Sequence, residues 1–518
     1  MLDDRSRGAL RAVEHHRFAS RGRWLLFDVE ALTVAPSEPV DAALLARAAM
    51  GATVAELVAA ALAAGHDREH AVARIDELVE QRFLLADGDA PERAEPREPS
   101  RHITFMVNVA QRCNLTCTYC YVNEGHFDYP EPPIPRMRAE TADGLVDRLH
   151  ALFPGFSTYA YHFYGGEPLL NFEAIRRVVA QAEARAAQAG TRTDYYITTN
   201  GTLCDREVAD FFDQHRFTVY YSIDGDVETH DEERRYAGGR GSYADVEANL
   251  AYLRTRPAVH LIGSSVVRKG VTLEAAMQKL AGHGARQCKA ERVRLFDDQA
   301  LALTGAEHDG YLADIEGLID HYVTALEART KPMDFRLSSK ILQVLTRSRR
   351  DFFCPAGERM FGVSADGELY PCALHVGRPG SRLGHVATGV DAELRAGFRT
   401  RFGADGQAGC RTCWTRRLCG GGCSAMVDRF GHEDCEALRG ESEAAIAIYQ
   451  HFAETDPSYL YGLVSPKVVE WVQGLLDDPG ALAPTEPHAE RVGHDDELVT
   501  AAPPVARHDG VVRLRILP

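Results

Sequence analysis

Twelve cysteines in this 518-residue chain fall into two groups and two strays, and that grouping constrains the fold more than any other feature. Cys113, Cys117 and Cys120 form a tight triplet. Cys354, Cys372, Cys410, Cys413, Cys419, Cys423 and Cys435 form a longer array, and only Cys204 and Cys288 stand apart. The start, MLDDRSRGALRAVEHHRF, lacks the apolar core of a secretory signal, and no segment offers about 18 uninterrupted apolar residues, so a cytoplasmic location is expected. That compartment keeps thiols reduced, so clustered cysteines read as metal ligands or catalytic groups rather than as a disulfide framework. The formal net charge of -17, from 75 acidic against 58 basic residues, argues against nucleic acid and membrane surfaces as partners.

With 45% hydrophobic residues the chain has material for several cores. Residues 23–34 read as a short hairpin, followed by helical periodicity near 40–49, 53–64 and 69–83, which makes a compact unit over 1–86. GDAPERAEPREPS at 88–100 is rich in Pro, Glu and Arg and reads as part of a linker over 87–101. Over 102–307 the runs TFMVNVA, AYHFY, DYYITT, FTVYYSI, HLIGSSVV and ERVRLF alternate with helical stretches near 138–153, 172–189, 205–215, 243–255 and 272–283. The alternation predicts an α/β domain with a parallel sheet, rolled into a partial (β/α)6 TIM-like barrel with chemistry at the carboxyl ends of the strands. Residues 308–353 are expected to form a helical bridge and 354–440 a cysteine-rich domain. A helix at 441–453 and a largely disordered tail, ending in one docked strand at VVRLRIL, complete the chain.

The triplet Cys113-Asn-Leu-Thr-Cys117-Thr-Tyr-Cys120 follows directly on the first strand, at the catalytic face of such a barrel. Three thiolates can hold three irons of a 4Fe-4S cluster and leave the fourth open. A zinc knuckle or reduced buried cysteines are the alternatives. Gly165-Gly166-Glu167-Pro168, Thr199-Asn200-Gly201 and Ser222-Ile223-Asp224-Gly225 end the second, third and fourth strand candidates on the same face, and His230, Asp231, Arg234 and Arg235 follow in a polar loop.

These residues resemble the radical SAM superfamily, whose CxxxCxxC signature follows the first barrel strand with an aromatic, here Tyr119, before the last Cys. The resemblance implies that S-adenosyl-L-methionine chelates the open iron of a cluster held by Cys113, Cys117 and Cys120, and yields a 5′-deoxyadenosyl radical on one-electron reduction. It implies further that Gly165, Gly166 and Glu167 line the methionine amino group, that Tyr119 and Asn200 belong to the cofactor pocket, and that Ser222 and Asp224 contact the ribose or the substrate.

The downstream array is similar to the seven-cysteine SPASM extension of radical SAM enzymes that act on peptides and proteins. That resemblance assigns Cys410, Cys413, Cys419 and Cys435 to a distal auxiliary cluster and Cys354, Cys372 and Cys423 to a proximal one, so that three 4Fe-4S clusters are expected. Two cubanes need eight thiolates and the array offers seven. Cys288, a non-cysteine residue, water and a substrate thiolate all stand as the eighth ligand, and a zinc ribbon is the alternative for the whole array.

The hairpin and three helices of the first unit resemble the winged-helix-like peptide-recognition module fused to maturases of ribosomally made peptides. The resemblance implies capture of a leader peptide as an added strand, with the linker as tether. The stretch FCPAGERMFGVSADGELYPCALHVGRPGSRLGHV looks most like enzymes that join a cysteine sulfur to a carbon of another residue. The expected function is therefore an oxidoreductase-type peptide or protein maturase that installs a thioether, supplied by an electron donor such as flavodoxin or ferredoxin. Carbon–carbon or ether crosslinking, formylglycine-type oxidation and a non-catalytic metal-binding scaffold are the other readings.

Overall fold

The computed structural model describes residues 8–96, 100–120, 135–294 and 301–463, with the backbone of 505–508 and 511–514. Its centre is a run of six parallel strands: β1 (His102–Ala110), β2 (Thr158–Gly165), β3 (Arg192–Thr199), β4 (Thr218–Ser222), β5 (His260–Val267) and β6 (Gln287–Arg292). Alternation along β1 explains why it forms. Ile103, Phe105, Val107 and Val109 are fully buried in the core shared with the crossover helices, while Thr104, Met106 and Asn108 take the other face, toward the barrel lumen.

The crossovers are the helices Ala139–Asp143 with Leu145–Leu152, Phe172–Ala189, Arg206–Gln214, Tyr243–Leu253 and Leu273–Gly282. The helix expected over 138–153 is broken at Gly144, which ends the first piece and opens the second. The stretch expected as a polar loop after the fourth strand contains a helix, Val227–Glu233, whose first turn is capped by the Asp226 carboxylate accepting from the Thr229 N–H. The sixth strand lies earlier than ERVRLF. In Gln287–Arg292 only the small Cys288 and Ala290 are buried, and Lys289 and Glu291 take the lumen side, so the strand carries no apolar run. Residues 295–296 of ERVRLF lie outside the described residues.

The cysteine-rich region does not form a separate sheet. Strand β7 (Met360–Val363) pairs parallel with β1, Met360 opposite Thr104, and β8 (Glu368–Tyr370), β9 (Gly384–His385) and β10 (Gly389–Val390) continue antiparallel. One ten-stranded sheet thus runs from the barrel into the second cysteine array, over a single core that includes Phe105, Phe153, Phe361 and Phe398. The expected bridge consists of two helices, Ala306–Glu327 and Ser338–Thr346, both packed on a long helix, Cys435–Glu454, that starts at the last cysteine itself.

In the N-terminal unit the expected hairpin gains a third strand. His15–Ser20, Arg23–Asp28 and Val34–Ser37 form an antiparallel sheet, Leu10–Ala12 pairs with Leu84–Ala86, and the helices are Asp41–Ala48, Val54–Ala63 and Arg68–Glu80. Thr53 and Glu56 close a reciprocal capping box on the second helix. The linker does not act as a free tether where it is described: Glu95–Pro96 pairs parallel with Ser348–Arg349, and the Ala94 N–H donates to Glu30 O at 2.6 Å. The module's Phe18, Leu25 and Phe27 share a core with Val344, Leu418 and Ile446.

The strand expected at VVRLRIL pairs locally, Val511–Leu514 against Val505–His508, and residues 464–504 lie outside the described residues. Among the described residues no helix is long and apolar enough to cross a membrane.

Candidate active site and thiol sets

The loop after β1 is gripped from both sides. From the end of β2, the Gly166 N–H donates to Ala110 O at 3.0 Å and the Glu167 N–H to Arg112 O at 2.9 Å. A Cβ at Gly165, whose φ is +130°, would collide with Ala110 O, and one at Gly166 with Arg112 O. The two glycines therefore let the backbone after β2 lie directly against the cysteine loop. From the other side the Thr116 N–H donates to Arg235 O at 2.7 Å, Leu115 bridges to Tyr236, and the Thr118 hydroxyl donates to the Glu233 carboxylate.

Held this way, Cys113, Cys117 and Cys120 act electrostatically on one another, and Cys113 also feels the charge of Glu167. Burial pushes the Cys113 thiol up to about 12 and the Cys117 thiol up to about 11.

Glu167 is fully buried with both carboxylate oxygens engaged: Oε1 accepts from the Leu169 N–H at 3.0 Å and the Thr199 hydroxyl at 2.8 Å, and Oε2 from the Asn200 N–H at 2.8 Å. It ties the end of β2 to the end of β3. Burial holds its pKa at about 7 against the pull of those three donors.

Asn200 turns its amide toward the triplet, donating from Nδ2 to Asn114 Oδ1 at 2.8 Å and to Cys113 Sγ at 3.6 Å. Asp224 is buried and accepts from Arg234 Nε at 2.8 Å, from the Val266 N–H at 3.1 Å and from the Tyr119 hydroxyl. Arg234 also stands over the Tyr119 ring, 5.3 Å from its centre. Arg234, Asp224 and Tyr119 thus form one buried unit behind Cys117, and Arg234 keeps the Asp224 carboxylate below the usual range despite burial. His230, also buried, accepts from the Asp224 N–H at Nδ1 and contacts Ser242 Oγ at 2.9 Å. Ser222 lies half-buried at the end of β4. Asp231 and Arg235 serve the local loop: Asp231 accepts from the Tyr243 N–H, and Arg235 donates to the Asp231 carbonyl.

Sequence reasoning missed the lumen. His162 on β2 stacks on Tyr220 of β4 at 5.6 Å, meets Tyr164 and Tyr196 edge-on or tilted, and contacts Thr198 Oγ1 at 2.9 Å. The signal was present as polar and aromatic residues at every second position of AYHFY, DYYITT and FTVYYSI. Asn108 lies on the same face, almost fully buried, and its Oδ1 has no hydrogen-bond partner among the described residues.

The seven downstream thiols separate into two sets. Cys372 feels Cys354 and Cys423, while Cys410 feels Cys413, Cys419 and Cys435. Four of these, Cys410, Cys413, Cys419 and Cys435, line a cavity of about 30 Å³ that Cys423 also reaches. Asp434, beside Cys435, is forked by Arg292 at 2.7 Å and Arg294 at 2.9 Å, so the end of the barrel is pinned to the last cysteine. Cys288, by contrast, is buried in the barrel core on β6, against Asp334 and Arg336, and joins neither set. Cys204 is likewise a core side chain. Among the described residues no three His, Cys, Asp or Glu side chains converge as one metal ion would need.

Residues 107–278 match the family model described as the radical SAM superfamily. The serine-type anaerobic sulfatase-maturating enzyme of Klebsiella aerogenes is 25% identical over 366 residues, covering 67% of this chain and 86% of that protein. The cysteine-type anaerobic sulfatase-maturating enzyme of Clostridium novyi is 23% identical over 377 residues, covering 68% and 98%. Among solved structures, native anSMEcpe with bound AdoMet superposes with a TM-score of 0.57 at 21% identity, covering 68% of this chain and 99% of that one.

Proposed function

Because residues 107–278 of this chain are a radical SAM domain, we propose that the protein is a peptide or protein maturase of the SPASM type, and that its reaction joins a substrate cysteine sulfur to a carbon. The observation that carries the proposal is the division of the thiols. The triplet after β1 and the set Cys354, Cys372 and Cys423 each offer three thiols, whereas Cys410, Cys413, Cys419 and Cys435 form a set of four. A four-iron cluster on the first set would supply the electron that cleaves S-adenosylmethionine to a 5′-deoxyadenosyl radical.

The residues suit such groups. Thiols are the ligands an iron–sulfur cluster takes, and the orphaned Asn108 Oδ1 offers a buried acceptor to a bound donor. Gly165 and Gly166 hold the triplet loop in register with β2, Asp224 and Arg234 lock Tyr119 behind it, and His162, Tyr164, Tyr196 and Tyr220 wall the lumen where a substrate side chain would enter. With Cys288 sunk in the core, the proximal set has three thiols, and on this reading a thiolate from the substrate serves as the further ligand.

Formylglycine formation is the second reading, favoured by the sulfatase-maturating relatives. The two part at the product. The full chain, anaerobically reconstituted and reduced with dithionite, is given S-adenosylmethionine with Ser- and Cys-containing sulfatase peptides, or with a Cys-containing peptide encoded beside its gene. A thioether appears as loss of a hydrogen pair with the thiol no longer open to alkylation. Formylglycine appears as a hydrazide-reactive aldehyde. Absence of 5′-deoxyadenosine under every condition would remove both readings.

A further inference from the structure

Asn200 does more than end a strand. Its Oδ1 accepts from the Thr202 N–H at 3.0 Å and the Thr202 hydroxyl at 2.7 Å, which fixes which end of the amide is oxygen. Thr202 Oγ1 in turn accepts from Asn114 Nδ2 at 2.9 Å, and Asn114 Oδ1 accepts from Asn200 Nδ2 at 2.8 Å. Three side chains thereby close a ring in which every donor and acceptor has a defined role, and Asn200 Nδ2 keeps one hydrogen outside it. Nδ2 stands 3.6 Å from Cys113 Sγ, so that hydrogen is the one free to point at the sulfur. The backbone beneath is pinned as well, through the Asn200 N–H on Glu167 and Asn249 Nδ2 on the Gly201 and Thr202 carbonyls.

We propose that Asn200 is a potential-setting residue for the first cluster, its amide N–H clamped by the Asn114–Thr202 ring as a hydrogen-bond donor to the Cys113 sulfur. The inference rests on the reading that Cys113, Cys117 and Cys120 hold an iron–sulfur cluster. Reduction adds negative charge that spreads onto the ligand sulfurs, and a donor aimed at one of them stabilises the reduced form, raising the potential. The Leu115 N–H, 3.4 Å from the same sulfur, acts in the same sense from within the loop. A single Nδ2 hydrogen from the loop after β3 is the contribution that a side-chain substitution can remove.

The test is a redox titration of the reconstituted full chain, followed by electron paramagnetic resonance without S-adenosylmethionine, on the signal that S-adenosylmethionine perturbs when added afterwards. If the native chain gives no such signal, the cluster assignment fails, independently of Asn200. With the signal in hand, Asn200→Leu, close in volume and without a donor, is expected to keep native iron content and to titrate at a lower potential. Thr202→Val, which opens the ring but leaves the donor, is expected to shift the potential less, in the same direction. An Asn200→Leu midpoint equal to the native one overturns the proposal. So does a Thr202→Val shift larger than that of Asn200→Leu, which would mean that the ring acts other than through this donor. Should Asn200→Leu lose iron, Asn114→Ala decides: it leaves Asn200 in place but unheld, so a lowered potential supports the proposal and an unchanged one overturns it.

Discussion

His16 and Trp414 lie ring on ring, 3.8 Å between centres and 6° from parallel. Trp414 follows Cys413 directly, so the N-terminal sheet rests on the segment that presents the distal thiols. His16 Nε2 also contacts Glu443 at 2.8 Å, and Arg416 joins Glu14 and Glu30 of the module. A leader peptide added to that sheet, as the resemblance implies, would bind beside the distal set rather than at the end of a loose string.

Arg416→Ala is expected to loosen this docking. Arg416 is buried while Glu14 is half exposed, so the loss is about 1–3 kcal/mol, below that of a fully buried pair. Limited proteolysis should then cut the 87–101 linker faster than in the native chain. An unchanged cleavage rate would show that the apolar contacts alone hold the module.

Asp224→Ala removes the partner of a buried guanidinium and leaves Arg234 uncompensated, at a cost of about 3–5 kcal/mol. Thermal unfolding of the iron-free chain reads this without interference from a cluster. A Tm within error of the native one would mean that Arg234 finds another anion, and would return Asp224 to the set of ligand contacts.

Gly166→Ala is expected to displace the triplet loop, because its Cβ meets the Arg112 carbonyl. With three clusters the native chain should carry about twelve irons, and this variant about eight. Cys410, Cys413, Cys419 and Cys435 changed together to Ala should also lose about four, but should keep the signal that responds to S-adenosylmethionine. Loss of that signal in the four-cysteine variant would contradict separate sets.

Acid should destabilise the fold. Burial pushes His150, His162, His230 and His375 down to about 4, 3, 4 and 3, so they stay neutral when folded. In the unfolded chain each binds a proton below about 6.5, and the stability their neutrality gives is lost as pH falls from there toward 4. Glu167 and Asp28 work the other way. Burial raises them to about 7 and about 6, so the folded state keeps two protons that the unfolded carboxyls release above about 4.5. Four sites against two leave unfolding with a net uptake of about two protons near pH 5.5. Tm measured from pH 7 to 5.5 should therefore fall, and a flat or rising profile would refute these assignments.

What the sequence carried best were elements whose two faces differ in kind. β1 through β5 were legible because their helix-facing positions are large and apolar, as in Phe105 and Phe163, and the motifs after β1 to β4 stood at the same edge. β6 was misplaced because its buried positions are only Cys288 and Ala290. Glu167 and Asp224 were legible as site residues but not in their work. Their partners, Thr199 and Arg234, come from other strands and loops, and only the fold shows that the carboxylates are engaged with the protein. The docking of the first module was hidden for the same reason: His16 and Trp414 stand almost four hundred residues apart.

The sheet that passes from β1 into β7 has one more consequence. β1 has β2 on one side and β7 on the other, so the hydrogen-bonding groups on its second edge are covered by Arg359 and the residues of β7. A chain ending before Arg359 would present that edge bare, a template for joining to copies of itself. The second cysteine array is thus no removable appendage. It is the seal of the barrel, and the barrel could have acquired or lost it only together with some other cover for the same edge.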